Sequence, residues 1–124
     1  MKILIADDSP LLRDRLKGLM RKFDLLSVVT EAENGAEALK LIRETNPDVA
    51  ILDIRMPEMN GIEVLRKIRE VESRPKIIIL TNYPYKQYRE RCLAEGADYF
   101  FDKNHDIAGL TEAIIRIANE TKGD

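Results

Sequence analysis

Acidic side chains follow two short apolar stretches of this sequence, at points where buried strands would end. Asp7 and Asp8 come directly after residues 3–6, and Asp53 comes directly after residues 49–52. Three carboxylates held close together repel one another unless a cation joins them. Carboxylate oxygens are the ligands that Mg²⁺ or Mn²⁺ prefers, so these aspartates predict a divalent metal site.

A carboxylate beside such a metal can attack phosphorus and form an aspartyl phosphate. Asp53 is the best candidate for this nucleophile because it ends the apolar stretch 49–52. Thr81 and Lys103 follow two further β-rich stretches, and they offer a hydroxyl and an ammonium to the phosphoryl oxygens. We therefore expect phosphoryl transfer at this group of residues.

The metal itself is expected to contact Asp8 and Asp53 directly. Asp7 would reach it through a water molecule, and the backbone carbonyl of Arg55 would add a further ligand. Each residue taken alone has an ordinary structural explanation as a turn residue, a helix cap or a solvated charge. Their functional interpretation rests on all of them falling at one end of the same sheet.

Five β-rich stretches supply that sheet, at residues 2–6, 27–32, 48–53, 76–80 and 97–101. Several are almost continuous in Ile, Val and Leu, which is typical of strands buried on both faces. Helical patterns separate them, so the sequence predicts a parallel sheet with right-handed crossovers. Functional groups gather at the carboxyl ends of such strands, and the polar residues above occupy those ends.

Helix signals lie between the strands. Ser9 and Pro10 suit the cap and the first turn of the first helix, and Asn34 and Asn60 suit the caps of the second and third. A polar fourth helix is expected at about residues 85–95, with Gly96 ending it. The predicted apolar faces are Leu12, Leu16, Leu19, Met20 and Phe23 in the first helix, and Ile107, Leu110, Ile114 and Ile117 in the last.

Composition limits the other classes of function. The chain has 124 residues, a net charge of −2 and 44% hydrophobic residues, which fits one globular domain and favours neither nucleic-acid nor membrane binding. No apolar run approaches the length of a membrane span. Cys92 is the only cysteine and His105 the only histidine, so a disulfide is impossible and a zinc site is poorly supported. A cytoplasmic setting is the expectation.

Four segments of the chain match the pattern of a known family. Residues 53–61 read D-I-R-M-P-E-M-N-G, the family's D-x-x-M-P-x-M-x-G; residues 5–8 carry the acidic pair, 79–81 the hydroxyl and 96–103 the lysine. The chain thus resembles the receiver domain of bacterial two-component response regulators, the class that includes the chemotaxis regulator. The resemblance implies one receiver domain over residues 1–124, with a flavodoxin-like (βα)5 fold and strand order 2-1-3-4-5.

The resemblance also implies a mechanism. A sensor histidine kinase or phosphotransfer protein supplies the phosphoryl group, and the receiver catalyses its own Mg²⁺-dependent phosphorylation and dephosphorylation at Asp53 rather than converting an external substrate. Thr81 then shifts toward the phosphoryl group and Phe100 turns inward. The surface of the fourth helix, fifth strand and fifth helix changes for a downstream protein, for an output domain outside this sequence or for a homodimer. Direct nucleic-acid or membrane binding is not expected.

Three positions depart from the family pattern. Asn104 stands where the family often has Pro, Phe100 stands where it often has Tyr, and Asn82 replaces a residue that is often small. Phe100 lacks the phenol hydroxyl and is equally well explained as a core residue. Arg55 and Tyr83 are expected to border the phosphoryl site and to change the lifetime of the phosphoryl group.

Other functions fit less well. A haloacid-dehalogenase-type phosphatase would need a second aspartate at position 55, which is arginine, and a flavin-binding module would need a phosphate-binding loop where residues 7–10 are D-D-S-P. A binding module that is never phosphorylated would normally have a degraded acidic site, whereas this site is complete. Whether the chain acts alone or within a longer regulator stays open.

Overall fold

The computed structural model describes residues 1–23, 28–71 and 74–122, in which five strands alternate with five helices. The strands are β1 (Lys2–Ala6), β2 (Val28–Ala32), β3 (Val49–Leu52), β4 (Lys76–Thr81) and β5 (Tyr99–Asp102). The helices are α1 (Pro10–Lys22), α2 (Gly35–Thr45), α3 (Gly61–Ile68), α4 (Lys86–Ala94) and α5 (Ile107–Lys122). All strand pairs are parallel in the order β2-β1-β3-β4-β5, which confirms the flavodoxin-like α/β fold.

The alternation of side chains along each central strand divides the core into two layers. In β1, Leu4 and Ala6 belong to the cluster under α2, α3 and α4, whereas Ile3 and Ile5 belong to the cluster under α1 and α5. Both sets are almost fully buried. Burying an aliphatic side chain of this size contributes about 1.5–3 kcal/mol, so the central strands form a firm base for the loops at their carboxyl ends.

The expected helix caps are confirmed. Ser9 Oγ accepts the backbone N–H of Leu12 at 3.2 Å, and Asn60 Oδ1 accepts the N–H of Glu63 at 2.9 Å. Asn34 caps α2 in the same way. In contrast, α4 has no side-chain cap at Tyr85 and buries only Cys92 among its residues, so it is the helix with the least anchorage.

Several predicted boundaries differ by one or two residues. β4 extends to Thr81. β5 begins at Tyr99 because the turn that follows α4 lies at residues 95 and 96, and the N–H of Ala97 still donates to the carbonyl of Cys92 in that helix. Ser27 lies outside the described residues. The prediction for Phe23 was wrong: it follows the end of α1 and is 45% exposed instead of lying in the core.

A membrane-spanning helix needs about 20 apolar residues. None of the helices in the described parts of the chain offers a stretch of that length and character.

Candidate functional site

The three predicted aspartates meet at the carboxyl edge of the sheet. β1 and β3 are neighbours with Ala6 opposite Leu52, so the residues that follow each strand lie side by side. One carboxylate oxygen from each of Asp7, Asp8 and Asp53 lies within 4.8 Å of the other two. Asp7 and Asp53 are buried and Asp8 is exposed, an arrangement that leaves one side open to solvent.

Lys103 connects two of these carboxylates. Its ammonium nitrogen lies 2.6 Å from Asp7 Oδ2 and 2.8 Å from Asp53 Oδ2. The backbone N–H of Lys103 donates to the carbonyl of Thr81 at 2.9 Å, which anchors the loop after β5 on the end of β4. The predicted lysine is therefore at the site, held by both its backbone and its side chain.

For both Asp53 and Lys103, burial and the neighbouring opposite charge shift the pKa in opposite directions. Burial raises the pKa of Asp53 above its ordinary value, although the hydrogen bond and charge of Lys103 partly offset this effect. Burial also lowers the pKa of Lys103, but the carboxylates of Asp53 and Asp7 more than compensate, so its pKa is raised. Lys103 is thus a cation at neutral pH, and Asp53 is a more basic carboxylate than one in water.

The backbone around Asp53 is fixed from both sides. Its N–H donates to the carbonyl of Ala6 at 3.2 Å, which continues the β1–β3 ladder by one residue. Asp53 Oδ1 accepts the N–H of Ile54 at 2.7 Å, and the N–H of Gly61 donates to the carbonyl of Ile54 at 2.8 Å. The carboxylate of Asp53 is consequently carried by a backbone segment that hydrogen bonds hold on both sides.

Thr81 ends β4 and is fully buried. Its hydroxyl oxygen accepts the backbone N–H of Tyr83 at 3.1 Å. The Arg55 guanidinium carbon lies 3.8 Å from the centroid of the Tyr83 ring, so a cation–π contact joins the loop after β3 to the loop after β4. The two residues expected to border the site are therefore in contact with each other.

Phe100 lies apart from the charged residues. It is 6% exposed and belongs to the core cluster under α2, α3 and α4, with the Arg89 guanidinium 5.8 Å from its ring centroid. The inward position expected for Phe100 after phosphorylation is already its position in this structure.

Sequence reasoning missed Arg13. This residue is buried in α1, and its Nη1 donates to the backbone carbonyl of Asp7. A signal for it existed, because Arg13 precedes Leu16 by three positions and Met20 by seven, which places a charge on the buried face of the helix.

Comparisons with known proteins agree with this geometry. The family described as the response regulator receiver domain matches residues 3–115. BvgA of Bordetella pertussis, named as a transcription regulator of virulence factors, is 33% identical over 117 residues, covering 92% of this chain and 56% of BvgA. The chain thus spans about half the length of the curated relatives it matches.

Solved structures match over nearly the whole chain. A LuxR-family DNA-binding response regulator from Staphylococcus aureus has a TM-score of 0.83 at 35% identity and covers 94% of this chain and 97% of its own. A CheY-like receiver domain protein from Methanospirillum hungatei has a TM-score of 0.85 at 28% identity, with coverage of 99% and 98%. With the family match and the shared strand order, they show that this chain belongs to the receiver domain family of two-component response regulators.

Proposed function

We propose that this chain accepts a phosphoryl group on the carboxylate of Asp53, supplied by a phosphohistidine of a sensor kinase or phosphotransfer protein. The observation that carries the proposal is the Lys103 ammonium joining Asp53 to Asp7, within a cluster of three carboxylates. The bond from phosphorus to the donor's imidazole nitrogen breaks as a bond to an Asp53 oxygen forms, and the imidazole departs with the electron pair.

The acidic cluster fits a hard divalent cation such as Mg²⁺ or Mn²⁺. Its three carboxylates carry more negative charge than Lys103 balances, and Asp8 is exposed at the open side. We assign Asp8 and Asp53 as direct ligands, Asp7 as a ligand through water and the Arg55 carbonyl as a further ligand. When bound, the cation neutralises charge on the carboxylates and on the phosphoryl oxygens.

Lys103 and Thr81 would hold the phosphoryl group. The Lys103 ammonium already contacts Asp53 Oδ2, so it lies where an oxygen of an attached phosphoryl group would need a donor. The Thr81 hydroxyl would have to give up the N–H of Tyr83 in order to turn toward that group. Phosphorylation would thereby release the start of the loop that leads to α4, the least anchored helix.

The surface of α4, β5 and α5 is the expected output face. Small changes in the loop before α4 would change this face for a downstream protein, a second copy or an output domain. The relatives that share the receiver are named as transcription regulators and are about twice as long, which supports an output domain as the partner. DNA binding would then belong to that domain, and residues 1–124 would act as a single receiver.

The contact between Arg55 and Tyr83 would control how long the phosphoryl group lasts. It connects the two loops beside Asp53 and Thr81, so it would limit the approach of water to the aspartyl phosphate. The lifetime of the phosphoryl group on Asp53 should therefore depend on the Arg55–Tyr83 contact, and not on either residue alone.

Beryllofluoride tests this function because it binds aspartate carboxylates as a phosphoryl mimic. Beryllofluoride and Mg²⁺ should shift the amide resonances of Thr81 and Tyr83 in the wild-type NMR spectrum. The Asp53→Asn variant should show no such shift. A wild-type spectrum that stays unchanged would favour a binding module that keeps the receiver fold without its chemistry.

A further inference from the structure

Arg13 is a buried charge within an otherwise apolar helix face. Its side chain is 9% exposed, and it shares the buried face of α1 with Leu16 and Met20. A buried guanidinium is costly unless its N–H groups are hydrogen-bonded. The partners of Arg13 therefore indicate why a cation occupies this position.

Two of those partners lie on different elements. Nη1 of Arg13 donates to the backbone carbonyl of Asp7, and Nε donates to Glu31 Oε1 on β2 at 3.1 Å. Lys17 holds the other oxygen of Glu31 at 3.0 Å. Glu33 lies 4.0 Å from Nη2 of Arg13, and Asp14 pairs with Lys17 at 3.2 Å. Because these carboxylates and Glu31 together balance both cations, the guanidinium adds little net charge to the acidic cluster, and its effect there is mainly geometric.

The bond to Asp7 fixes a particular peptide plane. The carbonyl of Asp7 belongs to the peptide unit that joins Asp7 to Asp8, so holding its oxygen restricts the last backbone angle of Asp7 and the first of Asp8. Those two angles set how the Asp7 and Asp8 backbones are oriented relative to each other, and they therefore help to direct both carboxylates. The N–H of Asp7 belongs to the preceding peptide unit and donates to the carbonyl of Ala32 at 3.1 Å, so it does not set this plane.

The side chain of Asp7 has its own restraints on the opposite side. Oδ1 accepts the N–H of Ser9 at 2.9 Å, and Oδ2 pairs with Lys103. Arg13 itself is tied to the same loop because its N–H donates to the carbonyl of Ser9 at 3.1 Å. Arg13 thus holds two carbonyls of the loop between β1 and α1, that of Asp7 with its side chain and that of Ser9 with its backbone.

We propose that Arg13 is a positioning residue of the acidic cation site: it orients the Asp7–Asp8 peptide so that both carboxylates face Asp53. This inference rests on the metal part of the proposed function. Groups that orient metal ligands from behind typically change metal affinity by 10- to 100-fold when removed. Arg13 would act in this way through a backbone carbonyl and not through a ligand side chain.

Electron paramagnetic resonance of Mn²⁺ measures the affinity of the cation site without any phosphodonor. Arg13→Met should weaken Mn²⁺ binding by about tenfold. Arg13→Lys keeps the charge but loses the planar fork, so it should weaken binding as well. Lys17→Met is the matched control: it breaks the other half of the Glu31 pair and leaves the bond to Asp7, so its Mn²⁺ affinity should equal that of the wild type.

Urea unfolding of the metal-free variants separates positioning from stability. Arg13→Met and Lys17→Met should both lower the free energy of unfolding, but only the first should lower Mn²⁺ affinity. Affinities of the folded Arg13 variants within twofold of wild type would overturn the proposal, and Arg13→Lys supplies this comparison if Arg13→Met does not fold. A wild type that binds no Mn²⁺ would overturn it too. A wild type that binds Mn²⁺ but accepts no phosphoryl group would overturn only the phosphoryl-transfer proposal.

Discussion

Gly61 lies directly against the backbone of Asp53. A β-carbon added to Gly61 would stand 2.3 Å from the carbonyl oxygen of Asp53, closer than real β-carbon contacts. The first residue of α3 therefore supports the strand end that carries the acidic side chain. This contact gives a physical reason for glycine at the end of the D-x-x-M-P-x-M-x-G pattern.

Gly61→Ala should destabilise the fold because either α3 or Asp53 must move. The expected loss is about 1–3 kcal/mol, as for other overpacked sites, and phosphorylation of Asp53 should slow in the folded protein. Urea unfolding and the rate of phosphoryl uptake measure the two effects. Gly18→Ala is the control. Gly18 lies in α1, and a β-carbon added there would meet no other atom within 4 Å. This variant should raise the free energy of unfolding by about 0.5–1 kcal/mol. Equal stability of the two variants would contradict the packing explanation.

Asp53→Asn should be more stable than the wild type at pH 7 in EDTA. Burial raises the pKa of Asp53, so folding disfavours the ionised form, and this cost is present once the pH rises above the folded pKa. Lys103 keeps its pairing with Asp7 in the variant. The free energy of unfolding should rise by about 0.5–2 kcal/mol, which is the usual effect of replacing a functional residue whose presence lowers stability.

The same gain should shrink as the pH falls, because Asp53 in the wild type then becomes protonated in both the folded and the unfolded state. Urea unfolding across acidic pH measures this trend. An Asp53→Asn variant that is less stable than the wild type at neutral pH would show that the Lys103 pairing outweighs desolvation.

Mg²⁺ should stabilise the folded chain by linkage. At a free concentration 100 times the dissociation constant, the free energy of unfolding should rise by about 2.7 kcal/mol. Asp8→Asn should remove most of this rise, and its metal-free stability should stay close to wild type because Asp8 is exposed. Thermal unfolding with and without Mg²⁺ measures both. A full Mg²⁺ effect in the Asp8 variant would exclude Asp8 as a ligand.

Arg55→Ala and Tyr83→Ala should each speed the loss of the phosphoryl group, by about twofold to fivefold, the factor that corresponds to an exposed cation–π contact. The double variant should add little, since each change removes the same contact. Single-turnover decay of the phosphorylated protein measures the rates. Arg43→Ala, which removes an exposed arginine from α2, serves as the control. Unchanged decay in both single variants would disprove control by this pair.

Cys92 should resist thiol reagents in the native protein. It is fully buried, and burial raises the pKa of its thiol to about 11, so little thiolate forms at pH 8. A colorimetric disulfide reagent should label it only after unfolding in urea. Rapid labelling of the native protein would show that α4 opens readily, since Cys92 is the residue that this helix buries.

The strands and the acidic site were predictable because they depend on local pattern and on one general rule. Continuous Ile, Val and Leu marked the buried strands, and parallel strands place their carboxyl ends at one edge. Asp7, Asp8 and Asp53 therefore met where expected. The cap residues Ser9 and Asn60 were also predictable, since their side chains bond within three residues along the chain.

The remaining features depend on contacts between distant segments. Arg13 was missed because its position depends on hydrogen bonds to Asp7, after β1, and to Glu31 on β2, and helix periodicity does not reveal these partners. Periodicity placed Phe23 in the core, but α1 ends before it and no element covers it fully. The resemblance implied an inward turn of Phe100, and its burial in the core cluster under α2, α3 and α4 already holds it inside.

The central claim is phosphorylation of Asp53, and the most direct measurement is the intact mass after incubation with acetyl phosphate and Mg²⁺. The wild type should gain one phosphoryl group that hydroxylamine removes, and this gain should be absent with EDTA and in Asp53→Asn. No gain in the wild type, or an equal gain in Asp53→Asn, would contradict the assignment of Asp53 as the acceptor.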